Sequence, residues 1–203
     1  MYANLKKKYG QNFLIDKNIT NKIVNLIDNN NLNILEIGPG DGKLSEKIID
    51  KKPKRLDLIE IDKDLLENLN MNFQKKKFVN IINQDVLKSN LDLNYDLIIS
   101  NLPYNLSSKI LEKIIRSKNI PKIMILMFQK EFAERLVVKN LNSINSLVNC
   151  FFDVKFKFNV SKNCFRPVPK VASCILKFEK LKRNLIKKNE IERFIEFKRY
   201  IFS

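Results

Sequence analysis

The chain is 203 residues long and carries 38 lysines and arginines against 22 aspartates and glutamates, a formal net charge of +16. This length suits one α/β domain with a short appendage and argues against two complete domains. The charge favours a polyanion as partner. A general drift of the composition toward lysine is the alternative explanation of the charge. Binding to an acidic membrane surface is a third possibility, but the sequence has no long basic amphipathic helix to support it.

The composition also excludes several kinds of chemistry. The chain has no histidine, and its three cysteines, Cys150, Cys164 and Cys174, show no CxxC spacing. We therefore expect reduced thiols and no metal, and neither a Ser-His-Asp triad nor imidazole acid-base catalysis. There is no apolar run of membrane-spanning length and no signal-peptide pattern, which predicts a cytoplasmic protein without membrane contact.

Apolar periodicity predicts a basic N-terminal arm, a helix over 16–28, and then a regular alternation of strands and helices. The predicted strands are 32–38, 56–61, 78–83, 95–100 and 122–128, and the predicted helices are 43–51, 63–73, 107–117 and 130–139. This alternation is typical of a mostly parallel sheet covered by helices on both faces. Two further strands, 151–160 and 171–178, have no helix between them, which predicts a terminal antiparallel pair. Beyond residue 179, apolar residues at helical spacing predict a short tail.

Three of the four glycines lie in one turn, Gly38-Pro-Gly40-Asp-Gly42, between the first predicted strand and the helix that follows it. Glycines let the backbone approach a ligand closely, whereas a tight turn without a ligand explains three of them less well. The third glycine comes one residue too early for a dinucleotide fingerprint. The pattern Glu-x-Gly-x-Gly-x-Gly is similar to the first motif of Rossmann-like methyltransferases, which implies S-adenosylmethionine as cofactor.

Acids follow the next two strands at the edge where a doubly wound sheet binds its ligands. Glu60 lies about 20 residues beyond the glycine turn, the separation at which an acid can reach a ribose diol. Asp85 can accept a hydrogen bond from an adenine amino group. A surface acid at a strand end and a turn cap are the alternatives for Glu60 and Asp85, respectively.

The fourth strand ends in Ser100-Asn-Leu-Pro-Tyr104, which resembles the catalytic motif of amino-methyltransferases that act on nucleobases. An adenine 6-amino group is a poor nucleophile because its lone pair is delocalised into the ring. The Asn101 side-chain oxygen and the Leu102 carbonyl can accept from its N–H groups, and Pro103 fixes the turn. Tyr104 can stack on the extruded base. A turn without function is the alternative.

With Tyr9-Gly-Gln-Asn-Phe-Leu14, Gln129-Lys-Glu131 and Phe165–Ser173, these motifs make residues 6–179 similar to the ribosomal RNA adenine dimethyltransferase family. The resemblance implies a Rossmann-like, S-adenosylmethionine-dependent methyltransferase fold with a mostly parallel seven-stranded sheet ending in an antiparallel hairpin. It also implies transfer of methyl groups to the 6-amino groups of two adjacent adenines in small-subunit rRNA.

The resemblance assigns residues as well. It implies that Asn101 through Tyr104 hold the target amine and that Phe165 is the second aromatic wall of the base pocket. For Phe165, a core aromatic in a proline-rich loop is the alternative. The residues that it implies as cofactor contacts are Asn12, Leu14, Gly38, Gly40, Glu60, Asp85 and Asn101.

The implied partner is small-subunit rRNA or a pre-30S particle, bound by a monomer during ribosome biogenesis. Gln129–Glu131 favours this branch over the antibiotic-resistance branch, which methylates the large subunit.

Two features depart from the family: Asn142–Ser146 keeps only the serine of a Tyr-Gly-x-x-Ser stretch, and the C-terminal helical domain is reduced to a stub. We therefore expect a methyltransferase domain over 1–179 and a basic helical tail over 180–203. The competing hypotheses are a non-catalytic RNA-binding assembly factor and a methyltransferase for a small molecule or a protein.

Overall fold

The computed structural model describes residues 11–202. The predicted basic arm and Tyr9-Gly10 of the N-terminal motif lie outside the described residues. The strands are β1 (Phe13–Leu14), β2 (Asn33–Ile37), β3 (Arg55–Glu60), β4 (Val79–Asn83), β5 (Leu97–Asn101), β6 (Ile123–Gln129), β7 (Phe152–Val160), β8 (Phe165–Arg166) and β9 (Ser173–Lys180). The helices are α1 (Lys17–Val24), α2 (Lys43–Ile49), α3 (Lys63–Phe73), α4 (Ser107–Arg116), α5 (Lys130–Val137), α6 (Asn145–Val148) and α7 (Ile191–Ile201).

Seven strands form one sheet in the order β4-β3-β2-β5-β6-β9-β7. The pairs from β4 to β6 are parallel, whereas β9 pairs antiparallel with both β6 and β7. The predicted fold class, with its terminal antiparallel hairpin, is thereby confirmed. Strands β1 and β8 form a separate antiparallel pair, in which Leu14 lies opposite Phe165. Two-residue strands have no periodicity to detect, and neither was predicted.

The sheet has a hydrophobic core on each face. Helices α1, α2 and α3 pack on one face through residues such as Ile23, Ile48 and Phe73. Helices α4, α5 and α6 pack on the other through residues such as Ile110 and Leu147. Because both faces are covered, the central strands are continuous apolar runs, and each fully buried Leu or Ile contributes about 1.5–3 kcal/mol.

The predicted helical tail contains α7, which packs on the same core as α4. Ile191 and Ile195 are buried in that core, and Glu192 forms a salt bridge with Arg116. The described part of the tail therefore lies against the domain. The domain boundary at residue 179 stays a prediction.

The sheet order also determines where a ligand can bind. Strand β2 lies between β3 and β5, so the chain leaves the centre of the sheet in one direction after β2 and in the other after β5. At such a switch point the loops diverge and leave a crevice at the carboxyl ends of the strands. The glycine turn follows β2 at this crevice.

Gly42 ends the glycine turn under a steric constraint. It is the N-cap of α2 with a φ of 83°, and a Cβ there would lie 2.9 Å from the Phe73 ring on α3. Only glycine combines this left-handed conformation with so close an approach to α3. The lack of a side chain at Gly42 therefore allows α2 to pack closely against α3.

We predict that Gly42→Ala lowers the free energy of unfolding by about 2–4 kcal/mol, since left-handed strain and overpacking add. Gly38→Ala is the control, because Gly38 also has positive φ, 65°, but open space where its Cβ would lie. It should cost only the strain, about 1–2 kcal/mol. Urea unfolding measures both values, and equal losses in the two variants contradict the steric argument.

Candidate cofactor and base site

A cavity of about 250 Å³ opens at the carboxyl ends of β2, β3, β4 and β5. It brings together nearly all of the residues expected from the sequence. The predicted residues that line it are Asn12, Leu14, Gly38, Gly40, Glu60, Asp85, Asn101, Leu102, Pro103 and Tyr104. Phe165 is the one predicted site residue that does not line it.

The glycine turn is attached to the end of β3. The amide of Gly38 donates to the carbonyl oxygen of Ile59 at 2.9 Å, and the amide of Gly40 donates to Oε2 of Glu60 at 3.2 Å. No atom lies within 4 Å of the position that a Cβ of Gly38 would take. The backbone at Gly38 can therefore approach a ligand in the cavity directly.

Glu60 is a buried acid that holds the glycine turn, not the surface acid considered as the alternative. Its Oε1 accepts from the amides of Ile61 and Asp62, both at 2.9 Å, and its Oε2 accepts from Gly40. The side chain is 6% exposed, and this burial raises the pKa of its carboxyl while the three amides lower it. A carboxylate offers roughly four acceptor positions, so Oε2 retains one that can face a ribose hydroxyl.

Asp85 caps the turn that follows β4. Its Oδ1 accepts from the amide of Leu87 at 2.9 Å, which is the capping geometry considered as the alternative. The residue nevertheless lines the cavity, and a carboxylate has a second oxygen. Capping and ligand binding are therefore compatible at this position.

Glu36 lies near the end of β2, and the sequence pattern assigns it no role beyond its place in the glycine motif. It is 1% exposed, and Ser45 Oγ on α2 donates to its Oε2 at 2.5 Å. The pKa of Glu36 is raised to about 8, mainly by burial. The hydrogen bond from Ser45 lowers this pKa, and the negative charges of Asp41 and Glu60 raise it further. The carboxyl thus joins β2 to α2 directly beneath the glycine turn.

Asn101 is the last residue of β5. Its Nδ2 donates to the carbonyl oxygen of Asn12 at 2.8 Å, so the amino end of the carboxamide faces the N-terminal segment and Oδ1 faces away from it. Pro103 has a φ of −62° and a ψ of 121° and precedes a short 3₁₀ helix, Tyr104–Leu106. The chain therefore turns sharply after Asn101, within the cavity wall.

Tyr104 is held by its hydroxyl group. The hydroxyl lies 2.6 Å from Oγ of Ser173, a buried residue at the start of β9. Burial raises the pKa of Tyr104, although the Ser173 bond opposes this, so the phenol stays neutral at ordinary pH. No pattern in the sequence pairs residues 104 and 173, and the role of Ser173 was missed.

Within residues 11–202, no three histidine, cysteine or acidic side chains are grouped so that they could hold a metal ion. Over the same residues, every helix is too short or too polar to cross a membrane.

Comparison with known proteins places this chain in a family. A model of the family described as ribosomal RNA adenine dimethylase matches residues 2–203. This chain belongs to the ribosomal RNA adenine dimethylase family. The family resemblance seen in the sequence is thereby confirmed.

Individual relatives agree with the family. Ribosomal RNA small subunit methyltransferase A of Mycoplasmopsis pulmonis is 46% identical over an alignment of 183 residues that covers 87% of this chain and 71% of that protein. A dimethyladenosine transferase structure from Plasmodium falciparum superposes with a TM-score of 0.85 at 27% identity, covering 94% of this chain and 70% of that chain. The 23S rRNA methyltransferase ErmE, at 23% identity, shares the fold with a TM-score of 0.79 over 92% of this chain and 77% of its own.

Phe165, the predicted second aromatic wall, does not line the cavity. It is fully buried in β8, within the core cluster that includes Leu14, Val160 and Ile175. Its ring thus packs in the core beside the cavity-lining strand β1, as in the alternative considered for it. A function as the second wall of the base pocket stays a prediction.

The buried carboxyl of Glu36 predicts a pH dependence. The unfolded chain loses this proton near pH 4.3, whereas the folded state keeps it to about pH 8. Between these values the folded state binds the extra proton, so the free energy of unfolding falls as pH rises. Glu36→Gln removes the titration and should make the fall smaller by a few kcal/mol.

Urea unfolding at about pH 5 and pH 8 measures this difference. Glu46→Gln, an exposed carboxyl on α2 next to Ser45, is the matched control and should follow the unsubstituted chain. If Glu36→Gln loses stability with pH as steeply as this control, the buried proton is not at Glu36.

Proposed function

We propose that this chain transfers methyl groups from S-adenosylmethionine to the 6-amino groups of two adjacent adenines in small-subunit rRNA. The observation that carries the proposal is the convergence of the glycine turn, two acids and Asn101–Tyr104 on one cavity. The family match and the names of the relatives support the reaction.

The residues that line the cavity fit S-adenosylmethionine. The backbone at Gly38 has open space beside it, Glu60 retains an acceptor position for a ribose hydroxyl, and Asp85 has a second oxygen for an adenine amino group. Asn12, Leu14 and Gly40 complete the proposed contacts from the same wall. When bound, the cofactor supplies an electrophilic methyl group on a sulfonium.

The residues at the end of β5 act on the target base. Asn101 Oδ1 and the Leu102 carbonyl accept from the two amine N–H groups, which favours a tetrahedral nitrogen whose lone pair can attack the methyl carbon. The Tyr104 ring stacks on the base and stabilises the positive charge that develops on nitrogen. Held by Gly38, Glu60 and Asp85, the cofactor would supply the methyl group and keep the electron pair of its S–C bond, and the methylated amine would release its proton to water.

The substrate must present an adenine out of its stack. Extruding a base costs a few kcal/mol in a duplex and less in a loop, so the target is a single-stranded or loop region. The net charge of +16 suits such a polyanion. We propose that the chain acts as a monomer on small-subunit rRNA or a pre-30S particle in the cytoplasm, with residues 1–179 as the catalytic domain and 180–203 as a tail.

Asn101→Ala should lower methyl transfer at least about 100-fold, because the amine loses the acceptor that shapes its nitrogen. The assay is transfer of labelled methyl groups to undermethylated small subunits. Asn105→Ala is the matched control in the same segment, an exposed side chain that does not line the cavity. Full activity of Asn101→Ala contradicts the proposed role of Asn101. Calorimetry tests the competing hypothesis: if the unsubstituted chain binds RNA but does not bind S-adenosylmethionine, it is a non-catalytic assembly factor.

Tyr104→Ala should lower kcat/KM about 10- to 100-fold, since stacking on one base is worth about 1–3 kcal/mol. Tyr104→Phe keeps the ring and loses only the bond to Ser173, so it should retain most of the activity. Ser173→Ala breaks the same bond from the other side and should match Tyr104→Phe. Equal losses in the Ala and Phe variants contradict a stacking role.

A further inference from the structure

A second groove lies on the face of the sheet that carries α4. It has a volume of about 670 Å³ and lies between α4, α5, the segment before α6, and α7. We call it the basic groove because six of its lining residues are cations: Lys109, Lys113, Arg116, Arg135, Lys198 and Arg199. Among the described residues that line it, Glu112 is the one acid.

Acids compensate only part of this charge: Glu192 on α7 pairs with Arg116, and Glu112 serves two of the cations. Glu112 accepts from Arg116 at 3.0 Å and lies 3.7 Å from the ammonium of Lys198, a side chain that is 6% exposed. In the described part of the chain, Lys109, Lys113, Arg135 and Arg199 form no salt bridge. Like charges gathered in a concave surface repel one another unless a ligand of opposite charge binds there. The groove therefore suits an anion with several charges.

The cations of α4 form a row. Lys109, Lys113 and Arg116 follow one another at four and three residues, which places them on one face of the helix. The helix rises about 10 Å over this distance. A nucleic-acid strand carries one phosphate per roughly 3.4 Å of duplex axis, so the row is long enough for at least two phosphates.

The basic groove adjoins the cofactor and base cavity. Leu87 lines both of them, and α4 begins at Ser107, three residues after Tyr104. A strand that places a base against Tyr104 thus has the groove directly beside it. This continuity favours a nucleic acid over an acidic protein, which has no reason to contact the methyl-transfer site.

We propose that the basic groove binds backbone phosphates of the RNA strand that flank the target adenine. The proposal rests on the proposed function, because the adjoining cavity defines which strand is bound. Helix α7 contributes Lys198 and Arg199, so the C-terminal tail is part of the RNA-binding surface. The six cations position the strand and carry no base specificity of their own.

The test compares two double variants of equal charge. Lys109→Glu/Lys113→Glu alters the groove, whereas Lys75→Glu/Lys77→Glu alters two exposed lysines beyond α3, beside the edge strand β4. Affinity is measured by fluorescence anisotropy with a labelled RNA hairpin that has two adjacent adenines in its loop. Titrations at several salt concentrations give the slope of log K against log salt, and thermal unfolding confirms that both variants fold.

The groove variant should bind at least about tenfold more weakly than the control, and its salt slope should be smaller by about one to two, as two phosphate contacts are lost. Equal affinities and equal slopes in the two variants overturn the proposal. The same equal values are expected if the groove binds an acidic protein and not RNA. Both single substitutions should act in the same direction as the pair.

The outcome of this binding test can be distinguished from the outcome of the test of the proposed function. If the groove variant loses RNA affinity while the unsubstituted chain transfers no methyl group, the groove stands and the enzymatic proposal falls. If the unsubstituted chain methylates small subunits and the groove variant binds the hairpin as the control does, the enzymatic proposal stands and the groove falls.

Discussion

The site depends on one buried carboxylate. Glu60 accepts from the amide of Gly40 in the glycine turn and from the amides of Ile61 and Asp62 after β3. Asp62 in turn accepts from the side chain of Gln11, at the start of the described chain. Three segments that are distant in sequence thus meet at the end of β3. Hydrogen bonds to a charged acceptor contribute about 1.5–3 kcal/mol each, enough to hold loops that have little apolar surface to bury.

The residues proposed to act on the base are held in the same way, by polar contacts with remote segments. Asn101 bonds to Asn12, 89 residues away, and Tyr104 bonds to Ser173, 69 residues away. Each contact uses the part of the side chain to which the proposed reaction gives no role: the amino group of Asn101 and the hydroxyl of Tyr104. The carboxamide oxygen and the aromatic face are the parts proposed to act on the base.

The sequence predicted the features that follow from local pattern. Apolar periodicity gave the order of the strands and helices, and because parallel strands end at one edge, Gly38, Glu60, Asp85 and Asn101 had to meet there. It could not predict features that depend on distant pairing. The contact of Tyr104 with Ser173, the β1–β8 pair and the burial of Phe165 all join segments whose proximity only the folded chain defines. The environment of Glu36 required knowing that Ser45 faces it across the turn.

The bond between Tyr104 and Ser173 bears on synthesis of the chain. A ribosome makes a protein from its N-terminus, and domains fold as their residues emerge. The half of the sheet that lines most of the cavity, through β5, is complete by residue 101, but the partner of Tyr104 is made some 70 residues later, on the strand between β6 and β7. A nascent chain therefore acquires most of its cavity wall well before the hydroxyl of Tyr104 can find its partner.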